Sequence, residues 1–422
     1  IPFSKMNPAM LFNALRAKSY MRRHQLDALI ATSPVNITYF TDHSLWIDTL
    51  MKEYMVKPGG SVDISQGYAL FPLEGDPALM LTAGLLAVNA VDIWVKDLRL
   101  FGSSGLDTGL PVGNLPDEIC RMKDLLEDTP IHSSSTDALA GALKDRGLSK
   151  ARIGIEVDGL TPPRFAALKE TLPGAQLLDC SNLIRLLRMV KSSDEVNRLT
   201  QAAEISERAA MDAMAEAKPG QNIQEVIHHF RAKLGEMNAD LDHFAFGYHG
   251  LGIGTEPNFI LGDSPVEFVD WGCIYRNCCS DTGTTLAMRP LSAEMQQRFD
   301  TLRACMDAGL NVMKPGVCAS AIQAAMQDVV ASAGYEMYPH GHGIGLEIRD
   351  YPIIAPANGL RIKDDCVDES SDLLLEPDMV LNIEAPLFMA GVGSLQLEQS
   401  VVITQDGHRP LTHQQRDIPI IL

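Results

Sequence analysis

Apolar positions in AMLFNALRAKSYMRRHQLDALI, residues 9–30, recur at helical spacing and then close up into a continuous run. The first part predicts an amphipathic helix, and the following LDALIATS a buried strand. In GYALFPLEGDPALMLT two apolar runs flank Glu74-Gly75-Asp76-Pro77, a turn signal, which predicts a hairpin. ARIGIEVDGL predicts a further strand. Helix and strand patterns alternate up to residue 180, the mark of an α/β domain.

The pattern changes near LRMVKSSDEVNR, residues 187–198. Ser192 and Ser193 are N-cap candidates, Glu195 follows, and VNRLTQAAEISERAAMDAM keeps helical spacing behind them. This predicts one long helix over 193–217, ended by Pro219-Gly220, then a second over IQEVIHHFRAKLGEM. Strands and turns are expected to residue 289, helices near 292–313 and 318–333, and a strand-rich end. The expected domains are 1–185 and 186–422.

With 422 residues, about two domains fit the length, and 46% hydrophobic residues supply an ample core. The formal net charge of −19 argues against a nucleic-acid partner, which would need clustered Lys and Arg. It favours a soluble protein with carboxylate-rich cation sites. Eight scattered cysteines form no paired Cys-x-x-Cys motif, so a thiolate zinc site is not expected, and reduced, buried cysteines in a cytoplasmic protein are. The opening IPFSKMNPAM has no long apolar run and no initiator Met, so no signal peptide and a trimmed start are expected. No run of about 18 apolar residues predicts a membrane span.

One stretch, FVDWGCIYRNCCSDTGTT, holds three cysteines and two aspartates, Asp270 and Asp281, at the ends of short apolar runs. A hairpin would bring the two carboxylates together. Downstream, YPHGHGIGLEIRDYP sets His340 and His342 among glycines that let the backbone come close to whatever the imidazole touches. VLNIEAPLF and GSLQLEQSVVIT then place Glu384 and Glu398 inside apolar strands. A buried carboxylate without a partner costs several kcal/mol or turns neutral. Four such groups with an imidazole would repel one another unless a cation sits among them. Oxygen-rich donors with one imidazole suit Mn, Fe, Co or Zn. Any one of these residues alone reads more simply as a turn, cap or solvent-facing side chain.

VDWG…SDTGTT, GHGIGLEIRDYP, LLEPDMVLNIEAP and LQLEQSVVIT together resemble the pita-bread metallopeptidase family, and VKSSDEVNRLTQAAEISERA resembles the helix opening its catalytic domain in the prolidase and creatinase branch. The resemblance covers most of 186–405. It implies an α/β N-terminal domain plus an α+β pita-bread catalytic domain, the creatinase/aminopeptidase fold. It implies Asp270, Asp281, His342, Glu384 and Glu398 as ligands of two divalent metal ions (Mn, Fe, Co or Zn), with the three cysteines as packing. In such enzymes a metal-bridged hydroxide attacks a carbonyl, and the first glutamate, Glu384 here, handles the proton. The segment TDHSLWIDTLMKEYMV resembles one that reaches a partner subunit, which implies a homodimer.

The chain departs from the peptidases at several points. Arg349 and Asp350 stand where a HExP pattern has its histidine and glutamate. Arg cannot act as a base near pH 7, but it can grip a carboxylate. Gln396 and Gln399 stand where prolidases tend to carry Arg and Asp. His249, in FGYHGLGIG, is the candidate for a further family histidine. The first reading is a hydrolase of a C–N bond, in an X-Pro dipeptide or a small amide or cyclic amidine. The second is a lyase of a small zwitterion such as dimethylsulfoniopropionate, with Asp350 as base and Trp46, Tyr54 or Trp271 as aromatic walls for the cation. The third is a non-catalytic binding module of the same fold. The acidic insertion RIKDDCVDESSDLLLEPD is expected at a rim or lid.

Overall fold

The apolar run that follows the first helix becomes an interior strand of a seven-stranded sheet in a computed structural model, which describes residues 10–44, 58, 66–84, 87–90, 93–107, 113–255, 257–412 and 420–421. Helix α1 (Ala14–His24) starts where the Asn13 side chain accepts from the Arg16 N–H. Strand β1 (Ala28–Ala31) is buried throughout, as a strand covered on both faces must be. Helix α2 (Pro34–Thr41) has Ser33 as its N-cap and proline in its first turn. Strands β2 (Tyr68–Pro72) and β3 (Ala78–Thr82) form the expected antiparallel hairpin, with Gly75 at φ 101° in its turn. Further strands are β4 (Asp97–Phe101), β5 (Ile131–His132), β6 (Arg152–Ile155) and β7 (Gln176–Asp179), alternating with α3 (Asp117–Asp128), α4 (Ser135–Asp145), α5 (Pro162–Thr171) and α6 (Ser181–Arg188). Sheet order is β5-β4-β3-β2-β1-β6-β7. Its core is filled by Ile30, Leu70, Met80, Leu139, Ile153 and their neighbours.

A second compact unit holds Arg188–Arg361 and Glu369–Leu422, while Ile362–Asp368 groups with the first unit. Ser192 accepts from the Glu195 N–H and starts α7 (Ser193–Ala215); Asn222 starts α8 (Ile223–Glu236). These cover one face of a sheet ordered β22-β12-β10-β8-β9, formed by β8 (Asp240–Gly247), β9 (Ile253–Thr255), β10 (Val266–Tyr275), β12 (Thr282–Ala287) and β22 (Ile420–Ile421). Phe230, Phe244, Phe246, Val269 and Trp271 lie in the core between. Strand β11 (Cys278–Cys279) turns back on β10, with Ile274 opposite Cys279, through Arg276 and Asn277, both at positive φ (48° and 67°) as a tight hairpin turn requires. This is the hairpin expected to bring Asp270 and Asp281 together.

After α9 (Ala293–Val312) and α10 (Ala319–Ala333) come β13 (His340–Gly343), β14 (Asp350–Ile354), β15 (Arg361–Lys363), β16 (Asp368–Ser370), β17 (Val380–Glu384), β18 (Leu387–Met389), β19 (Gly393–Leu395), β20 (Glu398–Ile403) and β21 (His408–Pro410). A second sheet runs β14-β13-β17-β20-β21, while β15–β16 and β18–β19 are two-stranded ribbons. The acidic insertion thus contains its own ribbon, whose middle groups with the N-terminal unit. Among the described residues no helix is long and apolar enough to cross a membrane.

Candidate metal centre

Strand pairing places the acidic residues face to face. Glu384, at the end of β17, lies directly opposite Glu398, at the start of β20, and His340 of β13 flanks Glu384 on the other side. Asp270 lies opposite Gly283 in β10 and β12. The two sheets meet here: Thr285 Oγ1 donates to the Gln396 carbonyl (3.0 Å) and Ser400 Oγ to the Asp281 carbonyl (2.8 Å). Gly283 has no side chain for a reason, since a Cβ there would stand 2.6 Å from Glu398 Oε2. This bare backbone lets a glutamate of one sheet reach the aspartates of the other.

The imidazoles link the carboxylates. His342 Nε2 lies 3.3 Å from Asp281 Oδ2 and 3.9 Å from Glu384 Oε1. Its Nδ1 faces the Gly343 carbonyl at 3.0 Å. His340 Nε2 lies 2.9 Å from Glu384 Oε1, and the half-exposed Arg349 guanidinium 3.7 Å from the same oxygen. Gln396 Nε2 donates to Glu398 Oε2 at 3.1 Å, and Asn382 Nδ2 to Glu398 Oε1.

The protein alone leaves this patch overcharged. Burial, with the charges of Asp281 and Glu384, pushes the Asp270 carboxyl up to about 6 against the pull of His243. Burial and the charges of Asp270, Asp281 and Glu384 push Glu398 well above the ordinary carboxylate range. Burial works the same way on Asp281, but hydrogen bonds from His243 and His342 overcome it and hold that group below its ordinary value. Two glutamates directly opposite across a strand pair destabilise the sheet unless positive charge lies between them. Four carboxylates with imidazole nitrogen and no thiolate are the donor set of a first-row divalent cation, so these residues could hold one.

Two expected site residues, Asp350 and Trp271, are engaged elsewhere. Asp350 does not face the carboxylates as a free base; it is buried and ion-paired to Arg188 and Lys191, each at 3.2 Å. Burial raises its carboxyl, but those two cations outweigh burial and hold it below its ordinary value. Trp271 is fully buried among Phe244 and its neighbours, on the face of β10 opposite Asp270, so it offers no wall to a substrate. His249 sits in the turn after β8 at φ 50°, its Nδ1 3.2 Å from Ser264 Oγ. Trp46 and Tyr54 lie outside the described residues. The cysteines are packing: Cys273, Cys278 and Cys279 are buried, and burial pushes the Cys273 thiol up to about 11 and that of Cys279 to about 12.

The histidine that meets the aspartates is His243, on β8. Its Nε2 lies 2.9 Å from Asp270 Oδ1 and 3.4 Å from Asp281 Oδ1, and its Nδ1 2.7 Å from Asp242 Oδ2. His243, Asp270 and Asp281 form a group whose donor atoms all lie within 4.8 Å of one another. The alternation in LDHFAF could have marked His243 as facing the same side as Ala245, but only strand pairing shows that this side carries Asp270.

Known proteins resemble this chain in sequence, and others in fold. An uncharacterized peptidase of Bacillus subtilis (strain 168), YqhT, is 26% identical over 278 residues, 64% of this chain and 75% of that protein. A putative dipeptidase of the same organism, YkvY, is 25% identical over 298 residues, covering 69% and 78%. Among solved structures, the dipeptidase PepE from Mycobacterium ulcerans superposes with a TM-score of 0.69 at 19% identity, over 97% of this chain and 96% of that one. The Xaa-Pro dipeptidase from Bacillus anthracis does so with 0.69 at 21%, over 97% and 99%. At those identities the superpositions speak for the fold. The creatinase/prolidase N-terminal domain matches residues 14–190, and the metallopeptidase family M24 model matches 181–405, the span that holds His243 and all five expected ligands. More than half the chain is thus matched, and it belongs to metallopeptidase family M24.

Proposed function

We propose that this chain is a divalent-metal-dependent hydrolase of short peptides, acting on dipeptides and on X-Pro dipeptides first among them. The observation that carries the reading is the convergence of Asp270, Asp281, His342, Glu384 and Glu398 from two sheets into one overcharged, largely buried patch. These five would hold the ions. Bound there, divalent cations supply Lewis-acid polarisation of a scissile carbonyl and acidify water near neutral pH.

The protein's own part centres on Glu384. Its Oε1 is met by His340 at 2.9 Å and by Arg349 at 3.7 Å, so this oxygen lies where a proton can be taken and returned. In amide hydrolysis one water is consumed; Glu384 takes a proton from it and delivers one to the leaving amine. Burial disfavours the charged ring of His340, but the hydrogen bond to Glu384 and that carboxylate's charge outweigh burial and raise its pKa. Arg349 is mostly exposed and free to grip the carboxylate of a dipeptide. The YkvY and PepE names support a dipeptide substrate. The lyase alternative finds no support, because its base, Asp350, is held by Arg188 and Lys191.

Proton NMR of a dipeptide panel that includes Gly-Pro, incubated with Mn-loaded protein, tests this. Free amino acids should accumulate with the wild type and not with Glu384→Ala. A panel left intact by folded, metal-loaded wild type overturns the peptidase reading.

A further inference from the structure

Given a metal centre at this patch, we propose that His243 is a sixth ligand, an imidazole on the ion shared by Asp270 and Asp281, and that it turns the metal preference of the centre toward Zn, Co and Fe and away from Mn. The two contacts of Asp281 show why. Its Oδ2 faces His342 Nε2 at 3.3 Å, and its Oδ1 faces His243 Nε2 at 3.4 Å. One carboxylate therefore spans two imidazoles, one oxygen to each. His243 Nε2 also approaches Asp270 Oδ1 at 2.9 Å. Separations near 3 Å between donor atoms are those of neighbouring ligands on one cation, for bonds of about 2.0–2.2 Å.

The rest of the ring is arranged as for a ligand. His243 Nδ1 faces the Asp242 carboxylate at 2.7 Å, which holds a hydrogen on Nδ1, so that Nε2, which donates to the aspartates in the protein alone, would turn its lone pair to a cation bound there. A lone pair aimed at two anionic oxygens repels them unless a proton or a metal ion lies between. Space for the ring is reserved by Gly272, opposite His243 in the β8/β10 register, where a Cβ would stand 2.4 Å from His243 Cε1. His340 differs in meeting one of these carboxylates, Glu384, where His243 meets two and shares a compact donor group with them. Each ion position then has one nitrogen donor, and imidazole favours Zn, Co and Fe over Mn, which prefers oxygen.

Cobalt(II) titration of the metal-stripped holo-length chain, followed by visible absorption and calorimetry, tests the proposal without reference to turnover. Wild type should take two ions. His243→Asn should weaken one of them about 10-fold or more, leave the other, and lose less affinity for Mn. Proton NMR of the Co-loaded wild type gives a second readout that needs no altered His243. It should show two exchangeable, hyperfine-shifted imidazole N–H signals, from His243 and His342, both retained in His340→Asn. Two cobalt ions bound by His243→Asn with unchanged affinity and spectrum, or a single such N–H signal in the wild type, would overturn the proposal. A wild type that binds no cobalt overturns it together with the metal centre it rests on, so the two failures are distinguishable.

Discussion

At the residue scale, three basic side chains gather around a single oxygen, Glu384 Oε1: those of His340, His342 and Arg349. Arg349 is 59% exposed and sits at the rim, so its removal should spare the fold. If it grips a substrate carboxylate, Arg349→Ala should raise KM about 10-fold or more with kcat largely kept, as expected when a contact made equally in ground and transition states is lost. An unchanged KM for the true substrate would remove that role. The acidic candidates stand out in the sequence because each is a charged residue inside or at the end of an apolar run, which burial makes costly without a partner. His243 does not: its role depends on which residue of β10 lies across from it, and on the bare backbone at Gly272. Nor does the pairing of Asp350, because Arg188 and Lys191 are about 160 residues away and no local pattern ties them to it.

At the element scale, the long helix α7 was readable to within a few residues, since Ser192, Glu195 and a sustained helical period agree on its start. Less readable was what its first turn touches. Glu195 is fully buried 3.7 Å from Lys191, beside Asp350, where a Cβ at Gly345 would crowd all three side chains. Burial pushes Glu195 up to about 7, Lys191 pulling against it. The folded chain thus holds this proton up to about pH 7, whereas the unfolded chain releases it near the ordinary carboxyl value. Between those limits the folded state binds more protons, so stability falls as pH rises, by up to about 3 kcal/mol. Glu195→Gln removes the titration. The melting temperature of this variant relative to wild type should climb from pH 5 to pH 8; parallel profiles would show that Glu195 does not titrate there. The ribbon β15–β16 makes the same point about reach: its acidic letters predict exposure, but the grouping of Ile362–Asp368 with the first unit is a long-range contact that composition does not carry.

At the scale of the whole molecule, the net charge of −19 is compatible with a chain that concentrates carboxylates where a cation is to be held. The two family matches, 14–190 and 181–405, run across nearly the whole chain, and the expected ligands all belong to the second compact unit. Ions bound only by the folded state stabilise it by mass action, so chelation should lower the melting temperature and re-addition restore it. The buried acidic patch is proposed to be a metal centre. Metal content per chain, measured by mass spectrometry after stripping and re-equilibration with Mn, Fe, Co and Zn at neutral pH, tests it most directly. About two ions per wild-type chain are expected, with a clear loss in Glu398→Gln. A folded wild type that retains no divalent ion, and melts at the same temperature with and without chelator, would contradict it.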